Sequence, residues 1–224
     1  MKIICSKSSL LKSVSIALKA VPSKTTMPIL ECILMDATTN QIKFTTNDME
    51  LGIETIVEGT IEEKGKVALD AKIFYEIIRR LPDNDVTIKT DDKYAATITC
   101  EKAKFNIPGK SGEDFAYLPM IEKDEPLTIS QYTLKEMIRQ TIFSIAVNEN
   151  NKLMTGELFE IKNNCLKVVS LDGHRISIRK MSLKKDYSDR KVVVPGKTLS
   201  EISKILSGEV DDQVSIYFTK NHIL

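Results

Sequence analysis

Residues 153–172 read LMTGELFEIKNNCLKVVSLD, two strand-like segments that end in an aspartate. When the chain is shifted by 124 positions, this stretch falls without a gap on residues 29–48, ILECILMDATTNQIKFTTND. The apolar positions keep the same phase in both copies. Identical residues meet at Leu34 and Leu158, Asn40 and Asn164, Lys43 and Lys167, and Asp48 and Asp172. A duplicated domain explains this match better than two unrelated α+β domains that share a periodicity.

The match continues beyond the aspartate at a shift of 125. Leu51 and Ile53 then meet Ile176 and Ile178, and residues 72–81 meet residues 197–206. We therefore expect one extra residue in the second copy, inside Asp172–Arg175. Because the second copy stops at Leu224, where the first continues into further strands, the pattern indicates an incomplete chain or a truncated product.

Two domains follow from the duplication, residues 1–122 and residues 123–224. The segment Ser111–Pro126 has the glycine, prolines and acids of a linker. Periodicity predicts an α+β fold in which strands outnumber helices. The predicted helices are Ser8 or Ser9 to Ala20, Ala71–Leu81, Tyr132–Ala146 and Lys197–Leu206. The predicted strands are Met1–Ser6, Ile29–Asp36, Gln41–Thr46, Leu51–Glu58, Val86–Thr90, Ala95–Glu101, Lys104–Pro108, Pro126–Ser130, Leu153–Ile161, Cys165–Ser170, Arg175–Met181 and Val214–Thr219.

Composition excludes several classes of function. The formal net charge of +1 gives no global attraction to nucleic acid or membrane, so any polyanion site depends on how the charges are arranged. The chain has two histidines, and its four cysteines, Cys5, Cys32, Cys100 and Cys165, form no CxxC pair, which disfavours a metal site. No run of 18 apolar residues and no signal peptide is found. We expect a cytoplasmic protein with reduced thiols and no cofactor.

Each predicted helix carries basic residues away from its apolar face. They are Lys12 and Lys19, Lys72 and Arg79, Lys135 and Arg139, and Lys197 and Lys204. A solvated face is the ordinary explanation for one such helix, and Glu76 and Glu201 fit ordinary helix ion pairs. The same pattern on four helices favours contact with phosphates. Because no aromatic residues are interleaved with the bases, neither stacking on single strands nor sequence readout is indicated.

The stretch SLDGHRISIR, residues 170–179, places an acid, a histidine and an arginine within four residues. Catalysis at His174 is disfavoured, because the first copy has Asp48-Met49-Glu50 there and no second acid–base group is fixed by spacing. Pro108-Gly109-Lys110-Ser111 lacks the upstream glycine of a phosphate-binding loop. From the residues alone, the stretch is best explained as a turn at Asp172-Gly173 with a polar rim.

The chain resembles the DNA polymerase III β subunit family, the bacterial sliding clamps, from Met1 to Leu224. The most specific match is Asp-Gly-His-Arg after a strand of the second copy. The other matching segments are Lys24–Leu30, Thr45–Glu50, Phe74–Pro82, Gly156–Glu160, Leu171–Ile176 and Val192–Pro195. The resemblance implies the DNA-clamp fold, with two helices packed on antiparallel sheets in each repeated domain. It also implies a non-enzymatic processivity factor, whose subunits close head to tail into a ring around duplex DNA. The family's third domain is absent from this chain, which leaves ring closure by the chain alone in doubt.

The resemblance also implies site residues. A pocket for short linear peptides of the replicative polymerase, the clamp loader and repair proteins would use Met154, Leu171, Gly173, His174, Arg175 and Ile176. DNA contacts would involve Lys24 and Asn148 in loops, together with the eight basic residues of the helices. Two alternatives stay open at this point. One is an enzyme acting on a small anion with His174 and Arg175 between the repeats, and the other is a two-repeat interaction module that forms no ring.

Overall fold

A computed structural model describes residues 1–147 and 151–224 of the chain. The chain divides into two compact units, Met1–Leu118 and Pro119–Leu224. The domain boundary between residues 122 and 123 stays a prediction.

Unit 1 contains ten strands and two α-helices. Its strands are β1 (Lys2–Ser6), β2 (Cys32–Asp36), β3 (Ile42–Asn47), β4 (Gly52–Val57), β5 (Thr60–Glu63), β6 (Lys66–Asp70), β7 (Asp85–Thr90), β8 (Ala96–Cys100), β9 (Ala103–Ile107) and β10 (Gly109–Ser111). Its helices are α1 (Lys7–Ala17) and α2 (Ala71–Arg80). The strands form two antiparallel sheets, ordered β5-β1-β7-β8-β9 and β10-β6-β2-β3-β4.

The core of unit 1 lies where the helices meet the sheets. Leu10 of α1, Ile78 of α2 and Phe44 of β3 are fully buried. The rings of Phe44 and Phe74 meet edge to face, with their centroids 6.1 Å apart. Both helices thus turn their apolar sides inward, and their polar sides remain at the surface.

The described part of unit 2 contains six strands and two α-helices. The strands are β11 (Leu127–Ser130), β12 (Gly156–Lys162), β13 (Cys165–Leu171), β14 (Ile176–Ser182), β15 (Arg190–Pro195) and β16 (Gln213–Ile216). The helices are α3 (Gln131–Arg139) and α4 (Gly196–Ile205). The sheet order β14-β13-β12-β15 repeats the order β4-β3-β2-β6 of unit 1, and β11 pairs with β16 as β1 pairs with β7. The predicted α+β fold, with two helices on antiparallel sheets in each unit, is confirmed.

Two helix boundaries differ from the predicted ones. α1 begins at Lys7, because the Ser6 side chain accepts a hydrogen bond from Ser9 N at 3.2 Å, and residues 18–20 form a 3₁₀ turn. α3 ends at Arg139, and Ile142–Ser144 form a separate 3₁₀ turn. Beyond Arg139 the backbone makes bonds of the i to i+3 type, from Thr141 N to the Ile138 carbonyl and from Ser144 N to the Thr141 carbonyl. The Thr141 carbonyl also accepts a hydrogen bond from the Ser170 hydroxyl.

The extra residue of the second copy lies outside the turn in which we predicted it. Asn47 pairs with Gly52, and Leu171 pairs with Ile176, so residues 48–51 and 172–175 form turns of equal length. Equivalent residues of the two units are still 124 positions apart at the end of β14, and they become 125 positions apart only at β15. The prediction was wrong because matching isoleucines by type slipped β14 by one residue, which moves every side chain to the other face.

Candidate functional site

The turn after β13 is held by Asp172. Its Oδ1 accepts hydrogen bonds from His174 N at 3.0 Å and Arg175 N at 3.1 Å, and its Oδ2 accepts one from Arg175 Nε at 2.8 Å. The bond from His174 N, with those from Arg175, holds the pKa of Asp172 below its ordinary value. Asp48 makes the same turn in unit 1, where its Oδ1 accepts from Glu50 N and Leu51 N at 3.0 and 2.7 Å.

The two turns also share a residue with a left-handed backbone. Met49 has φ 74° and Gly173 has φ 87°. Since glycine adopts positive φ without the steric cost that a side chain incurs, the second unit has the less strained version of the same turn.

The geometry does not form an acid–base pair around His174. The Asp172 carboxylate is occupied by the turn and by Arg175. The exposed imidazole has no hydrogen-bond or ion-pair partner within residues 1–147 and 151–224. Burial raises the pKa of the Cys5 thiol to about 12, so Cys5 is a poor nucleophile as well. Within the described residues, no group of three or more His, Cys, Asp or Glu side chains could hold a metal ion.

An apolar surface surrounds the Asp172 turn. Ile176 is 59% exposed and Ile178 is 53% exposed, whereas the equivalent outward positions of β4 carry Gly52 and Glu54. Leu171 is also exposed at the end of β13. Unit 1 exposes Ile56 farther along β4, so the two isoleucines next to the turn are particular to the second unit.

Two further contacts connect predicted pocket residues to their surroundings at the turn. The Met154 Cε lies 3.8 Å from the position that a Cβ would take at Gly173. The Arg175 guanidinium lies 5.9 Å from the ring centroid of Phe143, within cation–π range. Phe143 is 58% exposed and was missed from the sequence, because it stood inside a predicted helix. The available signal was that Phe143 is a large apolar residue off the apolar face of the predicted helix, which Leu134, Ile138 and Ile145 define.

Behind this surface lies a buried carboxyl group. Glu157 on β12 is fully buried, and burial raises its pKa to about 7. This residue was missed too. The available signal was alternation, because Glu157 is in phase with Phe159 and Ile161, which both face the core.

The predicted DNA-contact residues differ in how they are engaged. Lys12, Lys19, Lys24 and Lys72 are exposed and have no ion-pair partner among the residues that the structure describes, and Lys197 is exposed. Three others form ion pairs, Arg79 with Glu76 at 2.7 Å, Arg139 with Glu136 at 2.7 Å and Lys204 with Glu201 at 2.6 Å. The half-buried Lys135 donates its Nζ–H to the Leu206 carbonyl at 3.0 Å. Lys19 lies on the 3₁₀ turn beyond α1, and Asn148 lies outside the described residues.

Positive charge is concentrated on the four α-helices of the described chain. Together these helices contain nine basic and three acidic residues, and each one is net positive, so their sum is +6. The other residues contain 23 basic and 28 acidic side chains, a net charge of −5, because the whole chain carries +1. The near-neutral total therefore conceals a cationic set of helices.

A second apolar surface lies on unit 1, beside the edge strand β9. Ile73, Ile77 and Phe105 line a shallow groove there, with Lys72 and Arg80 among its charged residues. Ile73 and Phe105 are exposed in the chain as described. Exposed apolar side chains beside an unpaired strand edge are typical of a contact surface between proteins.

Duplicated units with paired helices on antiparallel sheets define the sliding-clamp class of proteins. The DNA polymerase III beta subunit N-terminal domain matches residues 1–119, and the central domain of that subunit matches residues 128–224. The chain therefore belongs to the DNA polymerase III beta subunit family, which is non-enzymatic.

Individual relatives agree with this assignment. The beta sliding clamps of Staphylococcus epidermidis and Staphylococcus aureus are 33% identical over 215 residues, which are 92% of this chain and 57% of theirs. The crystal structure of the Bacillus subtilis DNA polymerase sliding clamp has 34% identity and a TM-score of 0.95, over 100% of this chain and 61% of that one. A Eubacterium rectale crystal structure, assigned provisionally as a DNA polymerase III beta subunit, has 68% identity and a TM-score of 0.98 over the same shares.

The chain thus spans about three-fifths of the length of these relatives. Within the described residues, no helix has both the length and the apolar character needed to cross a membrane.

Proposed function

We propose that this protein acts as part of a DNA replication processivity factor, a clamp that encircles duplex DNA and tethers the replicative polymerase. The concentration of positive charge on the helices is the observation that supports this function best. Lysine and arginine on helix faces attract phosphates without reading sequence, and a ring that holds DNA by topology needs only weak, mobile contacts. We also propose that the protein acts in the cytoplasm.

The proposed DNA contact is tested by the salt dependence of binding. Lys12→Gln and Lys24→Gln remove exposed charges that have no described ion-pair partner. We expect each change to reduce the slope of log affinity against log salt by about 0.9, measured by fluorescence anisotropy with a labelled duplex. Lys102→Gln and Lys162→Gln are matched controls, because both lysines are exposed and neither is a predicted DNA contact. Equal losses in test and control variants would contradict a specific DNA face.

We also propose that the surface around the Asp172 turn binds short linear peptides of polymerases, clamp loaders and repair proteins. Ile176, Leu171 and Met154 supply apolar contacts for a leucine or phenylalanine side chain. Arg175 and His174 supply N–H donors for peptide carbonyls or a terminal carboxylate. Gly173 keeps the turn close to Met154 without adding a side chain between them.

The peptide proposal is tested with a fluorescein-labelled peptide that ends in Leu-Phe. We expect Ile176→Ala to weaken binding at least about fivefold, as loss of an interface anchor costs more than about 1 kcal/mol. Ile56→Ala is the matched control, since Ile56 is 57% exposed on β4 of unit 1. A loss of affinity in Ile56→Ala equal to that in Ile176→Ala would contradict the pocket.

In a longer protein, we propose that two subunits associate head to tail and that the groove at Phe105 supplies one side of the contact. Apolar exposure beside the edge strand β9 supports this surface. The alternative is an interaction module that never forms a ring. Light scattering on the full-length protein distinguishes them, because Phe105→Glu should convert a dimer into monomers. A mass unchanged by the substitution would contradict the groove's role.

A further inference from the structure

The buried carboxyl group of Glu157 contacts the Thr141 hydroxyl, which has one hydrogen but lies near two acceptor oxygens. Glu157 Oε1 lies 2.8 Å from Thr141 Oγ1, which also lies 2.8 Å from the Met137 carbonyl oxygen. A threonine hydroxyl has one hydrogen, so it cannot donate to both of these oxygens. Glu157 Oε2 has no hydrogen-bond partner among the residues that the structure describes.

The protonated form of Glu157 satisfies this arrangement and the ionised form does not. A neutral carboxyl group donates its proton to Thr141 Oγ1, and the Thr141 hydroxyl then donates to the Met137 carbonyl. When the carboxyl group ionises, it takes the Thr141 hydrogen, and the Met137 carbonyl loses this donor. The charge is then buried with a single hydrogen bond, which is unfavourable.

Thr141 connects this carboxyl group to the apolar surface at the Asp172 turn. Its carbonyl accepts hydrogen bonds from the Ser170 hydroxyl and from Ser144 N, the latter at 3.0 Å. The hydroxyls of Ser144 and Ser177 lie 2.6 Å apart, joining the Ile142–Ser144 turn to β14. Phe143 belongs to that turn and packs beside the Arg175 guanidinium. These contacts connect the position of Thr141 to Phe143 and Arg175, at the surface proposed to contact peptides.

No charged side chain accounts for the raised pKa of Glu157. Burial, opposed by the bond to Thr141, sets its pKa. The charged residues of the elements around it are exposed or half-exposed. They are Glu160 and Lys162 on β12, Lys167 on β13, Arg190 and Lys191 on β15, Lys135, Glu136 and Arg139 on α3, and Lys197, Glu201 and Lys204 on α4.

We propose that Glu157 is a positioning residue for the peptide surface. Its protonated form leaves the Thr141 hydroxyl bonded to the Met137 carbonyl, which holds the Ile142–Ser144 turn to α3, and ionisation breaks that bond. This inference rests on the proposed peptide site. It makes peptide affinity decrease as pH rises through the neutral range.

The coupling is tested first without peptide. In the whole chain, ¹³C NMR follows the Glu157 carboxyl signal, identified by its loss in Glu157→Gln, and the Phe143 ring signals, identified by their loss in Phe143→Leu. We expect both signals to titrate with one midpoint, near pH 7. Phe143 signals that stay constant, or that follow a different midpoint, would overturn the coupling.

The effect on binding is tested with the labelled Leu-Phe peptide. Because only the protonated form is competent, affinity should be about tenfold weaker at pH 8 than at pH 6. Glu157→Gln keeps an amide donor for Thr141 and should bind equally well at both pH values. Glu160→Gln, a surface carboxyl on the same strand, should retain the pH dependence. Each variant is also measured with His174→Gln, since histidine side chains in general change charge in this range.

The two failures are distinguishable. Binding with identical pH profiles in the wild type and Glu157→Gln would overturn the role of Glu157 alone. Absence of binding at every pH would overturn the peptide site itself, together with any regulation of it.

Discussion

Replacing Glu157 with glutamine is expected to change how the stability of unit 2 depends on pH. Glutamine has nearly the shape of the neutral carboxyl group, and it carries an amide donor for Thr141 in place of the acid proton. Because it cannot ionise, the variant never places a charge in the buried position. The wild type and Glu157→Gln should therefore have similar stability in acid and different stability in mild alkali.

The magnitude follows from the shift of the Glu157 pKa, from an ordinary value of 4.5 to about 7. At about 1.36 kcal/mol per unit, this shift corresponds to about 3 kcal/mol. The folded state holds the extra proton between these two values, so wild-type stability is full below pH 4.5 and decreases as pH rises to 7. Above pH 7, Glu157→Gln should be more stable than the wild type by up to about 3 kcal/mol. A typical domain is stable by only about 5–15 kcal/mol, so the effect is measurable.

Urea unfolding between pH 4.5 and 8.5 measures this difference, and hydrogen exchange of the β12 and β13 amides assigns it to unit 2. Glu160→Gln is the control, because the pKa of Glu160 is shifted in the opposite direction to that of Glu157. The hydrogen bond from Lys167 lowers the Glu160 pKa, so the stability contributed by Glu160 is present above its ordinary pKa and is lost as pH falls. Parallel pH curves for the wild type and Glu157→Gln would refute a buried, protonated carboxyl group.

Two other substitutions test the turn and the helix charges. Gly173→Ala should destabilise unit 2 by about 1–2 kcal/mol in urea unfolding, since alanine is strained at φ 87°. Gly208→Ala, whose added methyl group meets nothing within 4 Å, should have little effect. Equal losses of stability in the two variants would contradict a backbone origin. Glu76→Gln removes the ion pairs of Arg79 and Arg80, so it should tighten duplex DNA binding and steepen its salt dependence. Glu58→Gln, outside the helices, should change neither. Unchanged DNA binding in Glu76→Gln would indicate that this helix face contacts only solvent.

The duplication and the fold class could be predicted from the sequence because they rest on side-chain alternation. The alternating apolar residues Ile42 and Phe44 of the first copy correspond to Leu166 and Val168 of the second, and all four side chains are buried. The end of α3 could not be predicted, because local periodicity continues to Ile145. α3 ends at Arg139, and just beyond it the Thr141 carbonyl accepts from Ser170 of β13, a contact between residues 29 positions apart that local periodicity does not reveal.

The candidate site was predicted in part. Asp172 and Gly173 were recognised as turn residues from their types alone, and the structure gives them that role. The placement of the extra residue was wrong, because residue type was weighed above the face on which each side chain lies. Glu157 was missed, since a single acid in an apolar strand is informative only once the direction of its side chain is known.

The equal length of the two turns has a consequence for how the protein diversified. Both copies keep an aspartate that fixes the backbone path, so the strands on either side retain their pairing whatever residues the turn displays. One copy could therefore acquire outward isoleucines and an arginine by point mutation alone, with no loop remodelling. In the first unit the same turn is followed by glycine and glutamate at the two corresponding positions, Gly52 and Glu54. Transferring the same surface to β4 would also require Leu118 to move, because its side chain occupies the space that a Cβ at Gly52 would need.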